Sequence, residues 1–374
     1  MTRRKNHIGP LPHYAGHGRV DSERRRGRGA QSNVAGRFES QAAEDFDDGW
    51  ESFSELTPFK TQVISERARR IITTNDSPDI PFDQSVNAYR GCEHGCIYCY
   101  ARPSHCFLGY SAGLDFETRL IVETNALELL EREIASRGYE PRTIMLGSNT
   151  DPYQPIEREH RLTRGVLEIC DRASHPVAIV TKSALVLRDL DLIASLASRG
   201  LIRVAISVTT LDHRLSRRME PRASAPGKRL EALARLAEAG APAGVMAAPL
   251  IPAINDMELE RILSAAAEAG AKSAGYALLR LPLEVDPLFQ EWLEAEFPDR
   301  AQRVMSLLRS ARGGKDYVSR FGERMTGSGP YAEQIALRFE LAVKRLKLGE
   351  CAGRLRTDLF RRPVPPGGQF ELFP

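Results

Sequence analysis

Residues 90–102 read Arg-Gly-Cys-Glu-His-Gly-Cys-Ile-Tyr-Cys-Tyr-Ala-Arg, crowding Cys92, Cys96 and Cys99 into eight positions. The chain has 374 residues and six cysteines in all, and such crowding points to metal rather than to disulfides. Three thiolates on one tight loop suit three irons of a cubane [4Fe-4S] cluster, leaving the fourth iron without a protein ligand. The alternative is one zinc ion, with His94, His105 or Cys106 as fourth ligand. Structural zinc usually takes paired Cys/His elements separated by a longer loop, and a single packed triplet fits that less well. Gly91 and Gly95 relieve crowding as the loop wraps its ligand. Cys106 is open to three readings: a spectator, a further ligand or a hydrogen-atom donor. Cys170 and Cys351 stand in helical or terminal contexts that suit buried bystanders.

A loop of this kind needs a frame. Short β-rich runs at 86–90, 143–146, 177–181, 202–208, 243–249 and 273–278 alternate with segments at 126–136, 161–172, 189–198, 228–239 and 258–269. The latter carry apolar residues at three- and four-residue spacing and read as amphipathic helices. Gly138, Gly200, Gly240 and Gly270 follow four of them, as helix C-caps do. Alternation of this type predicts a parallel sheet covered by helices, with right-handed crossovers. Six units give an open sheet or a partial barrel, and either puts its chemistry at the C-terminal strand ends. The cysteine loop falls there, and so do the polar segments 147–155, 181–183 and 207–212. Residues 286–348 read as helical, split at Gly313-Gly314 and Gly327–Pro330, and the Pro/Gly-rich end reads as a flexible tail.

Composition is that of a globular protein: 42% hydrophobic, 27% charged, net charge +3. No stretch approaches the roughly 20 apolar residues a membrane helix needs, and no apolar run follows the basic start, so no secretory signal is expected. A cytoplasmic location is the expectation. Residues 1–37 carry nine basic side chains against Asp21 and Glu23, and residues 39–51 are acidic. Without apolar periodicity, residues 1–55 read as a mostly disordered arm. Its Arg/Gly composition suits the phosphates of nucleic acid, DNA above all; a solubilising tail folded back on the acidic stretch is the alternative.

C-x3-C-x2-C with Tyr98 before the last cysteine, directly after the first strand, resembles the signature of the radical S-adenosylmethionine (radical SAM) superfamily. Within it, Gly91–Arg102 resembles the spore-photoproduct-lyase-related, DNA repair photolyase-like group, over residues 80–285. The resemblance implies an α/β fold over 80–285, a partial (β/α)6 TIM-like barrel of parallel strands. A helical extension over 286–350 and a tail over 351–374 follow it. It implies a [4Fe-4S] cluster on Cys92, Cys96 and Cys99, S-adenosyl-L-methionine at the free iron, and an external electron donor such as flavodoxin or ferredoxin. Lyase chemistry on DNA is the expected reaction. Radical modification of RNA or protein, or a non-catalytic clamp- or nucleic-acid-binding role with a structural metal, are the alternatives.

By the same resemblance Tyr98 is a cofactor-binding candidate, and Ser148, Asn149 and Asp151 are candidates for the methionine ammonium. An Asx-turn at Asp151-Pro152 uses the same residues. Lys182 is a candidate partner for the methionine carboxylate, or a solvated lysine; Ser207 and Thr209 suit the ribose hydroxyls. Arg222 reads as cofactor-facing or as a surface residue, and Asn255-Asp256 as a helix cap or a cofactor contact. One departure stands out. The photoproduct lyases need a hydrogen-donating cysteine at the second strand end, where this sequence has Ser148 and Asn149. Finally, Gln369–Phe373 resembles the peptide by which proteins dock on the bacterial sliding clamp.

Overall fold

The computed structural model describes residues 20–23, 25–38, 58–349 and 354–363. Its strands are β1 (Gln62–Glu66), β2 (Ile72–Thr74), β3 (Gln84–Val86), β4 (Tyr89–Arg90), β5 (Arg119–Glu123), β6 (Ile144–Leu146), β7 (Val177–Thr181), β8 (Ile202–Ser207), β9 (Ala243–Leu250) and β10 (Ser273–Leu278). The helices are α1 (Asp115–Thr118), α2 (Ala126–Ala135), α3 (Glu157–His160), α4 (Leu162–Ala173), α5 (Leu190–Ser198), α6 (His213–Met219), α7 (Pro226–Glu238), α8 (Leu259–Glu268), α9 (Val285–Glu296), α10 (Pro298–Ser310) and α11 (Pro330–Leu346).

The main sheet runs β10-β9-β8-β7-β6-β3-β2, parallel except for β2. Each parallel strand lies beside its predecessor in sequence, so right-handed crossovers send the intervening helices to one face and the sheet curves around the other. Ile144, Leu146, Val177, Ile179, Val204, Ile206 and Val245 pack in one core with Leu233, Leu236, Ile262 and Leu263 of α7 and α8. Each such side chain contributes about 1.5–3 kcal/mol on burial. The alternate residues Met145, Ala178, Val180, Ala205, Gly244 and Met246 face the concave side and help line a cavity of about 1580 Å³. Small side chains there keep the hollow open. Pro226 opens α7 at a position needing no N–H, and Gly240 follows that helix with φ +74°. The parallel sheet expected from the periodicity is thus present, in the partial-barrel form that the family resemblance implies, followed by helices α9–α11.

Three expectations are corrected. The first strand is two: after β3 the chain turns at Asn87, and β4 pairs with β5 in a separate sheet, β1-β5-β4. The Asn87 side-chain oxygen accepts from the amides of Asn149 (3.1 Å) and Thr150 (3.4 Å), tying this turn to the loop after β6. The arm expected to be mostly disordered over 1–55 is folded across residues 28–36, where Arg28, Ala30, Gln31 and Ser32 are buried. Glu117 holds that segment by accepting from the amides of Gly29 and Ala30, both at 2.8 Å. The tail expected over 351–374 is docked at 354–363, where Phe360 packs on His175 and Tyr139 and the Arg361 amide donates to the Ala173 carbonyl at 2.8 Å. Gln369–Phe373 lies outside the described residues.

Candidate cofactor site

The cysteine loop leaves β4 at the C-terminal edge of the parallel strands. Gly91 and Gly95 both take left-handed φ (+77° and +67°). A Cβ on Gly91 would meet Leu120 and the Phe116 carbonyl at 2.9 Å, so both freedom and size demand glycine there. The Cys92 amide donates to the Phe116 carbonyl, and Gln154 brackets the turn by accepting from the Glu93 amide (3.0 Å) and donating to the Gly91 carbonyl (3.1 Å). From below, Arg102 donates to the Cys96, Ala112 and Gly113 carbonyls and pairs with Glu117 at 2.5 Å; both ions are fully buried. The folded N-terminal segment lies on the same loop: a Cβ on Gly29 would fall 1.8 Å from the Gly95 oxygen.

Cys92 and Cys96 are buried and Cys99 half-buried, all as free thiols. Burial, then Asp151 and the two neighbouring thiols, raises the Cys92 pKa; burial, then Glu220, raises that of Cys96, with Lys182 opposing. Thiols so placed ionise when a cationic metal group offsets those costs. Among the described residues, no three His, Cys, Asp or Glu side chains converge where a single ion could sit. A cubane takes one thiolate per iron and needs no such convergence. The extra zinc ligands considered above are also engaged elsewhere. His94 faces Asp151 at 3.3 Å, and His105 bonds the Arg119 carbonyl at 2.9 Å. Cys106 is buried against Arg37 and Glu284, its pKa pushed up to about 11 by burial and then by Glu284. The residues therefore fit an iron–sulfur cubane.

Tyr98 points into a buried polar knot. Its hydroxyl donates to Glu220, which also accepts from Thr209 (2.6 Å) and pairs with Arg229. Thr209 is thus occupied by the protein, not left for a ribose. Lys182, with no carboxylate partner among the described residues, holds its ammonium 5.8 Å from the Tyr98 ring centroid, on the cluster side. Asp151 is fully used: it accepts from the Thr181 hydroxyl (2.6 Å), the Lys182 amide (2.8 Å) and the Tyr153 amide (2.9 Å). Burial alone would raise its pKa, but His94, Thr181 and the Lys182 amide outweigh it and hold the carboxyl at about 2. Asp151 therefore clamps the loop after β6 to the end of β7, combining the Asx-turn with a cross-strand tie.

Ser148 bonds Asn87 at 3.2 Å and its carbonyl accepts from the Tyr100 hydroxyl, whereas the Asn149 carboxamide has no partner among the described residues. Ser207 offers its hydroxyl at the end of β8 while its carbonyl accepts from Arg229 at 3.1 Å. Arg222 is an exposed residue that pairs with Glu93 and donates to the Gly27 carbonyl at 3.2 Å. Asn255 is neither a side-chain cap nor exposed; it bridges the Ile251 amide and the Thr209 carbonyl. The supporting residues Asn87, Arg102, Glu117, Gln154, Glu220 and Arg229 were not singled out from sequence. Asn87, Gln154, Glu117 and Glu220 each take a partner more than sixty positions away, whereas the Arg102–Glu117 and Arg229–Glu220 pairs span 15 and 9 positions.

With this geometry in place, the comparisons define the class: the chain belongs to the radical SAM superfamily, whose family model matches residues 86–266. An uncharacterized protein of Mycobacterium tuberculosis is 36% identical over 232 residues, 62% of this chain and 68% of that protein. An uncharacterized protein of Methanocaldococcus jannaschii is 29% identical over 240 residues, 64% of this chain and 85% of that one. Among solved structures, a spore photoproduct lyase variant with bound AdoMet and dinucleoside spore photoproduct shares the fold. Its TM-score is 0.54 at 17% identity, covering 76% of this chain and 79% of that one. The protein is accordingly a radical SAM enzyme built on the spore-photoproduct-lyase fold. Among the described residues no helix is long and apolar enough to cross a membrane.

Proposed function

We propose that Cys92, Cys96 and Cys99 carry a [4Fe-4S] cluster, that S-adenosylmethionine binds at its fourth iron, and that the enzyme acts on DNA as a lesion-reversing lyase. The observation that carries the cofactor assignment is the loop itself: three free thiols at the mouth of a parallel β/α partial barrel, with His94 and His105 committed to other partners. When bound, the cluster supplies the electron that splits the sulfonium into methionine and a 5′-deoxyadenosyl radical. The chain's own part is orientation. Lys182 offers a cation for the methionine carboxylate, and Asn149 an amide oxygen for the ammonium. The Ser207 hydroxyl is available to the ribose, and Tyr98, locked by Glu220, walls the pocket.

Support for a nucleic-acid substrate comes from the fold shared with a lyase solved with a dinucleoside photoproduct. The cysteine that the family resemblance implies at the second strand end is replaced by Ser148 and Asn149, and Cys170 is buried within α4, so the lesion we assign is one other than the spore photoproduct. We place the enzyme in the cytoplasm, reduced by a flavodoxin or ferredoxin and tethered to the sliding clamp through Gln369–Phe373. Mass spectrometry of 5′-deoxyadenosine formed with deuterated DNA tests the substrate. Deuterium in the product supports DNA; deuterium gained from labelled RNA or protein but never from DNA refutes it.

A further inference from the structure

One step beyond Thr209 on the same strand edge lies an open cleft of about 550 Å³ that the cofactor site does not use. The turn after β8 and α6 form one wall, the 254–258 turn and α8 the other, and the α9–α10 junction closes one end. Four arginines line it, Arg214, Arg218, Arg261 and Arg300, all exposed. Neither of its two acids pairs with these arginines among the described residues. Glu258 accepts from the Thr210 hydroxyl (2.6 Å) and the Leu211 amide (2.9 Å), and Asp212 caps α6 through the Arg214 and Leu215 amides.

Arg218 shares Glu296 at 3.2 Å and Arg300 touches the Ala253 carbonyl at 3.5 Å. The guanidinium groups of Arg214 and Arg261 have no partner among the described residues. Like charges facing one cleft repel, and an anion placed between them reverses the sign. Guanidinium forks match phosphate oxygens, and four of them spread along a cleft suit a chain of phosphates rather than one. Met257, 73% exposed, and Phe297 add apolar surface for sugar and base faces.

The cleft is also coupled to the site. Thr209 bonds Glu220 beside Tyr98, while the next two residues, Thr210 and Leu211, bond Glu258 in the cleft wall. In the described part of the N-terminal segment, Arg28 is buried and Arg25 is tied to the Val20 carbonyl at 3.2 Å, which leaves Arg26 as an exposed arginine there. We propose that this cleft grips the phosphodiester backbone of the nucleic-acid strand whose reacting nucleotide enters the radical site. The assignment rests on the nucleic-acid reading above.

Fluorescence anisotropy of the full chain with labelled DNA and RNA oligonucleotides, across a salt series, tests it. The R214E/R261E variant should bind at least about tenfold more weakly, and the slope of log affinity against log salt should fall by about two. R132E/R137E makes the same charge change at two exposed arginines, one in α2 and one just beyond it, and should bind like the parent protein. Parallel thermal melts confirm that each variant is folded. If R214E/R261E binds like the parent protein, or loses no more than R132E/R137E, the cleft assignment is overturned while the nucleic-acid reading stands. If the parent protein binds no oligonucleotide at about 50 mM salt, the nucleic-acid reading itself falls, and the cleft assignment with it.

Discussion

Arginine does opposite jobs in two neighbouring regions of this molecule. Around the cysteine loop, Arg28, Arg102 and Arg229 turn inward onto Glu93, Glu117, Glu220 and backbone carbonyls. In the cleft beside it, Arg214 and Arg261 face solvent with nothing to pair with among the described residues. Desolvated and paired, the first set fixes the position of a loop. Hydrated and unpaired, the second set can recognise a partner only by exchanging water for an anion. Charge count alone does not separate the two sets; burial and pairing do.

The largest effects should come from breaking the inward set. Arg102→Met leaves Glu117 buried without its cation, and chemical denaturation should show a loss of about 3–5 kcal/mol. Iron retained after reconstitution should fall with it; native stability in that variant would mean the pair does not hold the loop. Next in size is Gly29→Ala, whose methyl would sit 1.8 Å from the Gly95 oxygen. Forcing the folded N-terminal segment off the loop should cost about 2–3 kcal/mol. An unchanged melting curve would show that segment to be dispensable.

A pH series sharpens the same contrast, since buried bases resist charging where exposed ones do not. Burial lowers His105 and His175 to about 4 from 6.5. Between those values the unfolded chain binds protons that the folded chain refuses, so stability is full above about pH 6.5 and is lost as pH falls towards 4. At pH 5 the loss should be about 2 kcal/mol for each histidine. His175→Gln should flatten the decline in melting temperature over that range, and an equally steep decline would contradict this origin. The smallest stability effect belongs to the outward set: R214E/R261E should stay within about 0.5 kcal/mol of the parent protein by denaturant titration.

The sequence revealed what repeats and what clusters. The six parallel strands and their helices showed through periodicity, and the cysteines through spacing, because both are local patterns. What it hid is carried by single residues with distant partners. Glu117 binds amides 87 and 88 positions earlier, and Glu220 receives Tyr98 from 122 positions away. The folded stretch at 28–36 looked like a polar arm because its stability comes from that carboxylate rather than from apolar side chains. The small sheet was missed for a related reason: β1 and β5 are parallel partners separated by 52 residues, with no helix pattern repeated between them. Asp151 was found and its Asx-turn was foreseen, but its tie to β7 was not, since a carboxylate on a strand-end loop reads the same whether it meets a ligand or the next strand.

The central claim is that three cysteines on one loop run radical chemistry. Anaerobic reconstitution followed by dithionite and S-adenosylmethionine tests it most directly. The account predicts a brown protein with about four irons per chain that releases 5′-deoxyadenosine, and a Cys96→Ala variant that releases none. A colourless protein holding one zinc, or cleavage undiminished in Cys96→Ala, would contradict it.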